Sequence, residues 1–299
     1  MNRVIADEDL EIMQWLSPLG SGGRHQDVRT DRLDCVGNWL LETNEFREWR
    51  RNEGGADKAV LFCCGGPGVG KTYLRWVPGC PRKKELSLMA RNISSLVIDN
   101  LRDEAGEEEN AIAGFYCDFR DQQGQTTTNI MGAILEQLVV RGEVLGHVQS
   151  AFRKAQRERG GRGLRLPDMV RMLKQAVATL PQVFICIDAL DEYLPKHLLE
   201  LLESMKDVLE KSPGMRIFVT GRPQVEAEII RYFTTAVIVL ISPNTHDIKR
   251  YLEKKLEMDS EPEAMSDTLR ADISKIILER ISKMCVAASI VPILCMSFH

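Results

Sequence analysis

Residues 59–72 read AVLFCCGGPGVGKT, an apolar run that gives way to glycine and ends in Gly-Lys-Thr. The run 59–64 is short, uncharged and closed by glycine, the pattern of a strand buried on both faces. Gly65, Gly66, Pro67, Gly68, Val69, Gly70, Lys71 and Thr72 satisfy G-x-x-x-x-G-K-[ST] at every fixed position. The glycines let the backbone curl until several N–H groups point at one anion. Lys71 adds a mobile positive charge for the outer phosphates, and the Thr72 hydroxyl can ligate Mg²⁺. These eight residues are the expected phosphate cradle of a bound nucleotide, and the motif requires its last two residues to open a helix.

Two stretches far downstream carry complementary chemistry. In VFICIDALDE (183–192) an apolar strand delivers Asp188 to the carboxyl edge of a sheet, where ligands bind in open α/β folds. A carboxylate there can hold Mg²⁺ through water, as partner of Thr72. Asp191 and Glu192 follow on the exit loop and can orient or deprotonate an attacking water. In RIFVTGRP (216–223) another apolar strand ends in a polar turn carrying Arg222, whose guanidinium can reach a terminal phosphate and report its presence.

Between these motifs the chain alternates strands and helices. Strands are expected at 59–64, 111–119, 182–190, near 214–223 and at 235–242. Helices are expected at 35–49, at 125–139 behind a Thr/Asn cap, at 167–180 with Pro167 in or just before the first turn, at 196–211, and at 245–258 and 264–284. Residues 52–57 read as a loop, as does the acidic run 102–110. The basic, glycine-rich stretch 152–166 lacks interleaved aromatics and reads as a mobile surface loop. The expected fold class is α/β: a three-layer P-loop NTPase sandwich with a mostly parallel sheet, flanked by N-terminal helices and a C-terminal helical segment. The divisions are a lead-in at 1–57, a nucleotide-binding core at 58–243 and a helical segment at 244–299.

Composition excludes several alternatives. With 299 residues, 44% hydrophobic and 27% charged, the chain is an ordinary globular protein. A net charge of −4 gives no general pull toward nucleic acid or anionic membrane. The eight cysteines form no C-x-x-C pair and read as buried free thiols. The N-terminus lacks the apolar core of a signal peptide. The apolar stretch 285–298 is short for a span and holds Pro292, so a core helix cut off by the chain end is expected, and a cytoplasmic protein.

The order GGPGVGKT, FYCDFRDQ, VFICIDALDE, RIFVTGRP and SPNTHDIKRYL resembles the NACHT class of signal-transduction NTPases. More closely, it is similar to the nephrocystin-like N-terminal domains of fungal NOD-like receptors, as is WLSPLGSGGRHQDVRTDRLDCVGNWLLETNEFREW (15–49) upstream. The resemblance spans about residues 13–285. It implies that Lys71 and Thr72 hold phosphate and magnesium, that Asp188 is the magnesium-side carboxylate, that Asp191 and Glu192 are the catalytic or water-positioning acids, and that Arg222 is the sensor arginine. It implies ATP, or GTP, with Mg²⁺ as cofactors, ATP being the better guess. It further implies self-association through this domain and C-terminal ankyrin or WD40 repeats that bind a protein ligand. No nucleic-acid or membrane partner is expected.

Two departures bear on function. In the family the loop helix runs on from GKT, whereas here WVPGCPRKKELSLMARNIS (76–94) separates YLR from SLVIDNL and contains Pro78, Gly79 and Pro81, which stop a helix. It reads as an insertion, such as retained intron sequence. The chain also stops at His299 and reads as a truncated receptor. Three functions stay open: a nucleotide-operated signalling switch with slow or no hydrolysis, a plain NTPase or small-substrate kinase, and a non-hydrolysing scaffold or remnant. No N-K-x-D motif is present to read guanine.

Overall fold

The computed structural model describes residues 7–19, 21–32, 36–53, 55–65, 88–104, 110–139, 143–157 and 164–241, with scattered positions between 246 and 276. Its centre is a five-stranded sheet of order β2-β3-β4-β1-β5 in which every pairing is parallel. The strands are β1 (Val60–Gly65), β2 (Asn110–Tyr116), β3 (Gln182–Asp188), β4 (Met215–Gly221) and β5 (Val237–Ile241). All five fall where the apolar runs placed them.

Successive side chains of a strand point to opposite faces, and here both faces are buried. Val60, Phe62 and Cys64 of β1, with Val183, Ile185 and Ile187 of β3, belong to one core. Leu61 and Cys63, with Phe184 and Cys186, belong to the other. The first core is covered by α1 (Asp7–Leu16), α6 (Thr127–Val139), α7 (Glu143–Arg157), α8 (Leu166–Ala178), α9 (Pro195–Leu209) and α10 (Glu226–Tyr232). The second is covered by α2 (Ser21–Asp31), α3 (Trp39–Glu42), α4 (Asn44–Arg51) and α5 (Leu88–Glu104). This is the three-layer α/β sandwich of a P-loop NTPase. The helices before residue 58 supply core residues to both faces: Ile12 and Leu16 to one, Val28, Leu40, Phe46 and Trp49 to the other.

Several element boundaries differ from the sequence expectation, each for a local reason. The helix expected at 35–49 is two helices. Thr43 adopts extended φ and ψ of −67° and 149°, and its hydroxyl accepts from the Phe46 amide, so it caps α4 and breaks the run. The stretch 152–166, expected as a loop, begins inside α7, where Val148 and Phe152 bury one face at helical spacing. Helix α10 was not expected at all. Helix α5 starts at Leu88, inside the stretch 76–94 read as an insertion, and its buried Ile93, Val97, Ile98 and Leu101 follow one another along a single face. The cap at the start of α6 is as expected: the Thr126 hydroxyl accepts from the Asn129 amide.

The described positions of 245–258 and 264–284 are helical. Residues 285–298 lie outside the described residues. Among those that are described, no helix is long and apolar enough to cross a membrane. Cys63, Cys64, Cys117 and Cys186 are buried free thiols, as expected.

The end of α1 is docked on the first turns of α6. The Ser17 hydroxyl donates to the Asn129 carbonyl at 3.0 Å, and a Cβ at Gly132 would lie 2.0 Å from the Leu16 carbonyl oxygen. Backbone meets backbone there, so no side chain can rotate out of the way. Gly132→Ala is expected to cost about 1–3 kcal/mol, the usual range for an overpacked contact. Urea unfolding should show a lower midpoint with an unchanged slope.

Candidate functional site

Parallel pairing brings the carboxyl ends of β1, β4 and β3 to one edge. Cys64 pairs with Gly221 and Ile187 with Val219, and β4 lies between the strand that leads into the glycine motif and the strand that ends in Asp188. Gly65 closes β1 at this edge. Gly66, Pro67, Gly68, Val69, Gly70, Lys71 and Thr72 follow it in sequence and lie outside the described residues.

Asp188 is 1% exposed. A buried carboxylate is costly unless donors reach it, and two hydroxyls do. Ser94 Oγ of α5 donates to Oδ1 at 2.6 Å, and Thr220 Oγ1 of β4 donates to the same oxygen at 2.7 Å. Oδ2 is buried with no hydrogen-bond partner among the described residues. An anionic oxygen left over in this way fits a hard cation or its bound water, and Mg²⁺ sites commonly take one or two carboxylates and complete the shell with water and phosphate. Among the described residues no cluster of three or more His, Cys, Asp or Glu side chains forms an all-protein metal cage.

Directly after Asp188 the chain turns sharply. Ala189 sits in the left-handed region, φ 53° and ψ 48°, where an alanine is strained. Its amide donates to Thr220 Oγ1 at 2.9 Å, so one hydroxyl fixes both the carboxylate and the turn. A 3-10 turn over Leu190–Glu192 follows and swings Asp191 toward the end of β4. Asp191 Oδ1 accepts from the Arg222 amide at 3.2 Å, while Oδ2 lies 3.0 Å from Arg222 Nε. The second contact is an ion pair whose N–H is poorly aligned with the oxygen. Asp191 is 2% exposed at its side chain and Arg222 35%.

Gly221 makes this approach close. A Cβ there would lie 2.9 Å from Val225 Cγ2 and 3.3 Å from Phe62 Cε2. Cys64, which neighbours Gly221, donates weakly to Glu226 Oε2 at 3.5 Å. Burial first, then the Glu226 carboxylate, pushes its thiol up to about 12, so it is no nucleophile at neutral pH.

The other end of the edge is held by α2. Arg24 pairs with Asp118 at 2.7 Å, and Arg120 pairs with it through Nε and Nη2. Burial alone would raise the Asp118 carboxyl, but the Arg120 and Arg24 donors outweigh it and hold the group well below the usual range. His25 bridges Asp99 of α5 and the Tyr116 hydroxyl at 3.1 and 2.8 Å. Burial and then Arg102 lower its pKa, so the ring is neutral at pH 7. Its Nε2–H therefore donates to the carboxylate and its Nδ1 accepts from Tyr116.

Of the residues singled out in the sequence, the structure brings Asp191 to Arg222, with Asp188 at the end of β3 and Glu192 at the end of the turn that carries Asp191. It adds Ser94 and Thr220, which sequence reasoning missed. Thr220 is the one hydroxyl in the run RIFVTG, a signal that was there to be read.

Thr220→Val removes one donor to Asp188 and the acceptor of the Ala189 amide. A loss of about 1–3 kcal/mol is expected by denaturant unfolding. The Asp118 carboxyl, lowered on folding, contributes stability that is complete above its unfolded value and lost as pH falls toward its folded one. Below about pH 4, Asp118→Asn should therefore lose less stability with falling pH than the parent chain, as read by midpoints of unfolding across an acid series.

A comparison with curated proteins gives no match. Among solved structures, the chain is similar to a Walker-type ATPase of Pyrococcus abyssi at 14% identity, covering 85% of this chain and 74% of that one, with a TM-score of 0.37. It is similar to the Orc1 protein of Aeropyrum pernix, solved in complex with DNA, at 16% identity over 83% and 56% of the two chains, TM-score 0.44. It is similar to Cdc6p of Pyrobaculum aerophilum at 15% over 92% and 59%, TM-score 0.40. The family described as nephrocystin 3, N-terminal, matches residues 36–75 and 92–222, more than half of the chain, with a break at 76–91. The chain belongs to the nephrocystin 3 N-terminal family.

Proposed function

We propose that the chain is a nucleotide-operated switch of the NACHT signal-transduction class, taking ATP in preference to GTP with Mg²⁺. The observation that supports this most is the strand order. Because β4 separates β1 from β3, Arg222 leaves the sheet between Gly65, where the glycine motif begins, and Asp188. A cation at that point distinguishes a terminal phosphate from its absence. A switch needs that difference in affinity between two states, not fast turnover.

The division of labour follows from the residues. The N–H groups of the 65–70 loop, Pro67 excepted, and the Lys71 ammonium bind phosphate; Thr72 and Asp188 hold magnesium; Arg222 reads the last phosphate; Glu192 orients or deprotonates water if hydrolysis occurs. Fungal NOD-like-receptor signalling, cytoplasmic action, self-association through this domain and recognition of a protein ligand by C-terminal repeats complete the proposal by resemblance.

The start of α5 bears on the insertion. The family match joins Arg75 to Asn92 across the 16 positions 76–91. Closing that gap would set Thr72 in the helical position of Leu88, the first residue of α5. Gly-Lys-Thr would then open the helix, as the motif demands. With the segment present, residues 88–91 hold that turn instead.

The same break also favours a second reading, a remnant that binds no nucleotide. Titration of the whole chain with Mg·ATP separates the two. Saturable binding is expected, weakened at least about tenfold in Lys71→Ala through loss of a charge-assisted contact. Removing residues 76–91 is expected to tighten it. Absence of saturable binding in both the parent and the shortened chain would sink the switch and leave the remnant.

A further inference from the structure

We propose that Asp191 is a positioning residue for Arg222 and takes no proton itself. This rests on the switch reading above. The geometry behind it is local. The left-handed Ala189 and the 3-10 turn after it aim Asp191 away from the solvent side and at the end of β4. There it meets Arg222 twice, at the backbone amide and at Nε, while only 2% of its own side chain is exposed. An acid that must exchange a proton with water needs access to water; this carboxylate is buried and set against Arg222.

The Arg222 side chain shows the other half of the arrangement. Its Nε edge faces Asp191, and neither terminal nitrogen has a partner among the described residues. A guanidinium is a rigid planar fork. Fixing one edge fixes the direction of the remaining N–H donors, which are the ones suited to a phosphate. The backbone contact adds to this, since Asp191 Oδ1 also pins the peptide from which the side chain springs. Gly221, immediately before it, packs against Val225 and Phe62 with no room for a Cβ. Asp191 and Glu192 therefore have different tasks although they are neighbours in sequence. Asp191 orients the cation that recognises the terminal phosphate, and Glu192 is left as the group that acts on water.

Two measurements on the whole chain test this. The first needs no nucleotide. In a spectrum of arginine Nε–H groups, the Arg222 signal, assigned by its loss in Arg222→Lys, is expected to be protected from solvent exchange. Asp191→Asn is expected to speed that exchange by about tenfold, the loss of one charge-assisted contact. An Arg222 signal unchanged by Asp191→Asn overturns the proposal.

The second compares affinities for a non-hydrolysable ATP analogue and for ADP, each with Mg²⁺. The preference for the triphosphate is expected to fall by about tenfold in Asp191→Asn, by the same factor in Arg222→Lys, and no further in the double variant. Arg222→Lys keeps the charge but offers no Nε to hold, so it tests the idea even if Asp191→Asn folds poorly. A preference intact in Asp191→Asn, with only turnover lost, would show a proton acceptor and overturn the proposal. If the parent binds neither nucleotide, the switch reading fails, and the exchange measurement alone decides what Asp191 does.

Discussion

A buried carboxylate at the end of a strand has to be held by groups from outside that strand, and most of this site follows from that requirement. Asp188 draws on α5 through Ser94 and on β4 through Thr220, so the helix and two strands are tied at one oxygen. The tie is directional. It consumes Oδ1 and leaves Oδ2 without a donor among the described residues. A charge has been brought indoors, and the described residues satisfy one of its two oxygens.

Thr220 carries more than its size suggests. Its hydroxyl donates to Asp188 and accepts from Ala189, so the strained turn and the carboxylate share one support. The turn in turn sets where Asp191 goes, and Asp191 sets where Arg222 goes. Each residue in this sequence of contacts is placed by the one before it.

Much of the fold was legible because it is local. A strand buried on both faces declares itself as an uncharged apolar run, and each of the five runs is a strand. Asp188 and Arg222 were legible because they stand where such runs end. What was not legible depends on distant partners. Ser94 meets Asp188 across 94 positions, and nothing near Ser94 in sequence marks it; it sits inside a stretch that reads as foreign to its surroundings. Helix α7 was hidden because its buried face is narrow, Val148 and Phe152 against a background of Arg, Lys and Gln. The break at Thr43 was hidden because Trp39, Leu40, Phe46 and Trp49 keep a helical rhythm across it. The role of α2 was hidden too, since Arg24 and His25 acquire meaning only beside Asp118, Asp99 and Tyr116.

One contact near the other end of the chain has a mechanical meaning. Asp247, 8% exposed and beyond β5, accepts from the Gly37 amide at 3.0 Å. Gly37 lies against Ile93, the residue just before Ser94 on α5. The chain is thereby closed into a non-covalent ring, with its late part fastened beside the helix that holds Asp188. Asp247 thus stands, through Gly37, next to the helix whose Ser94 donates to the buried carboxylate.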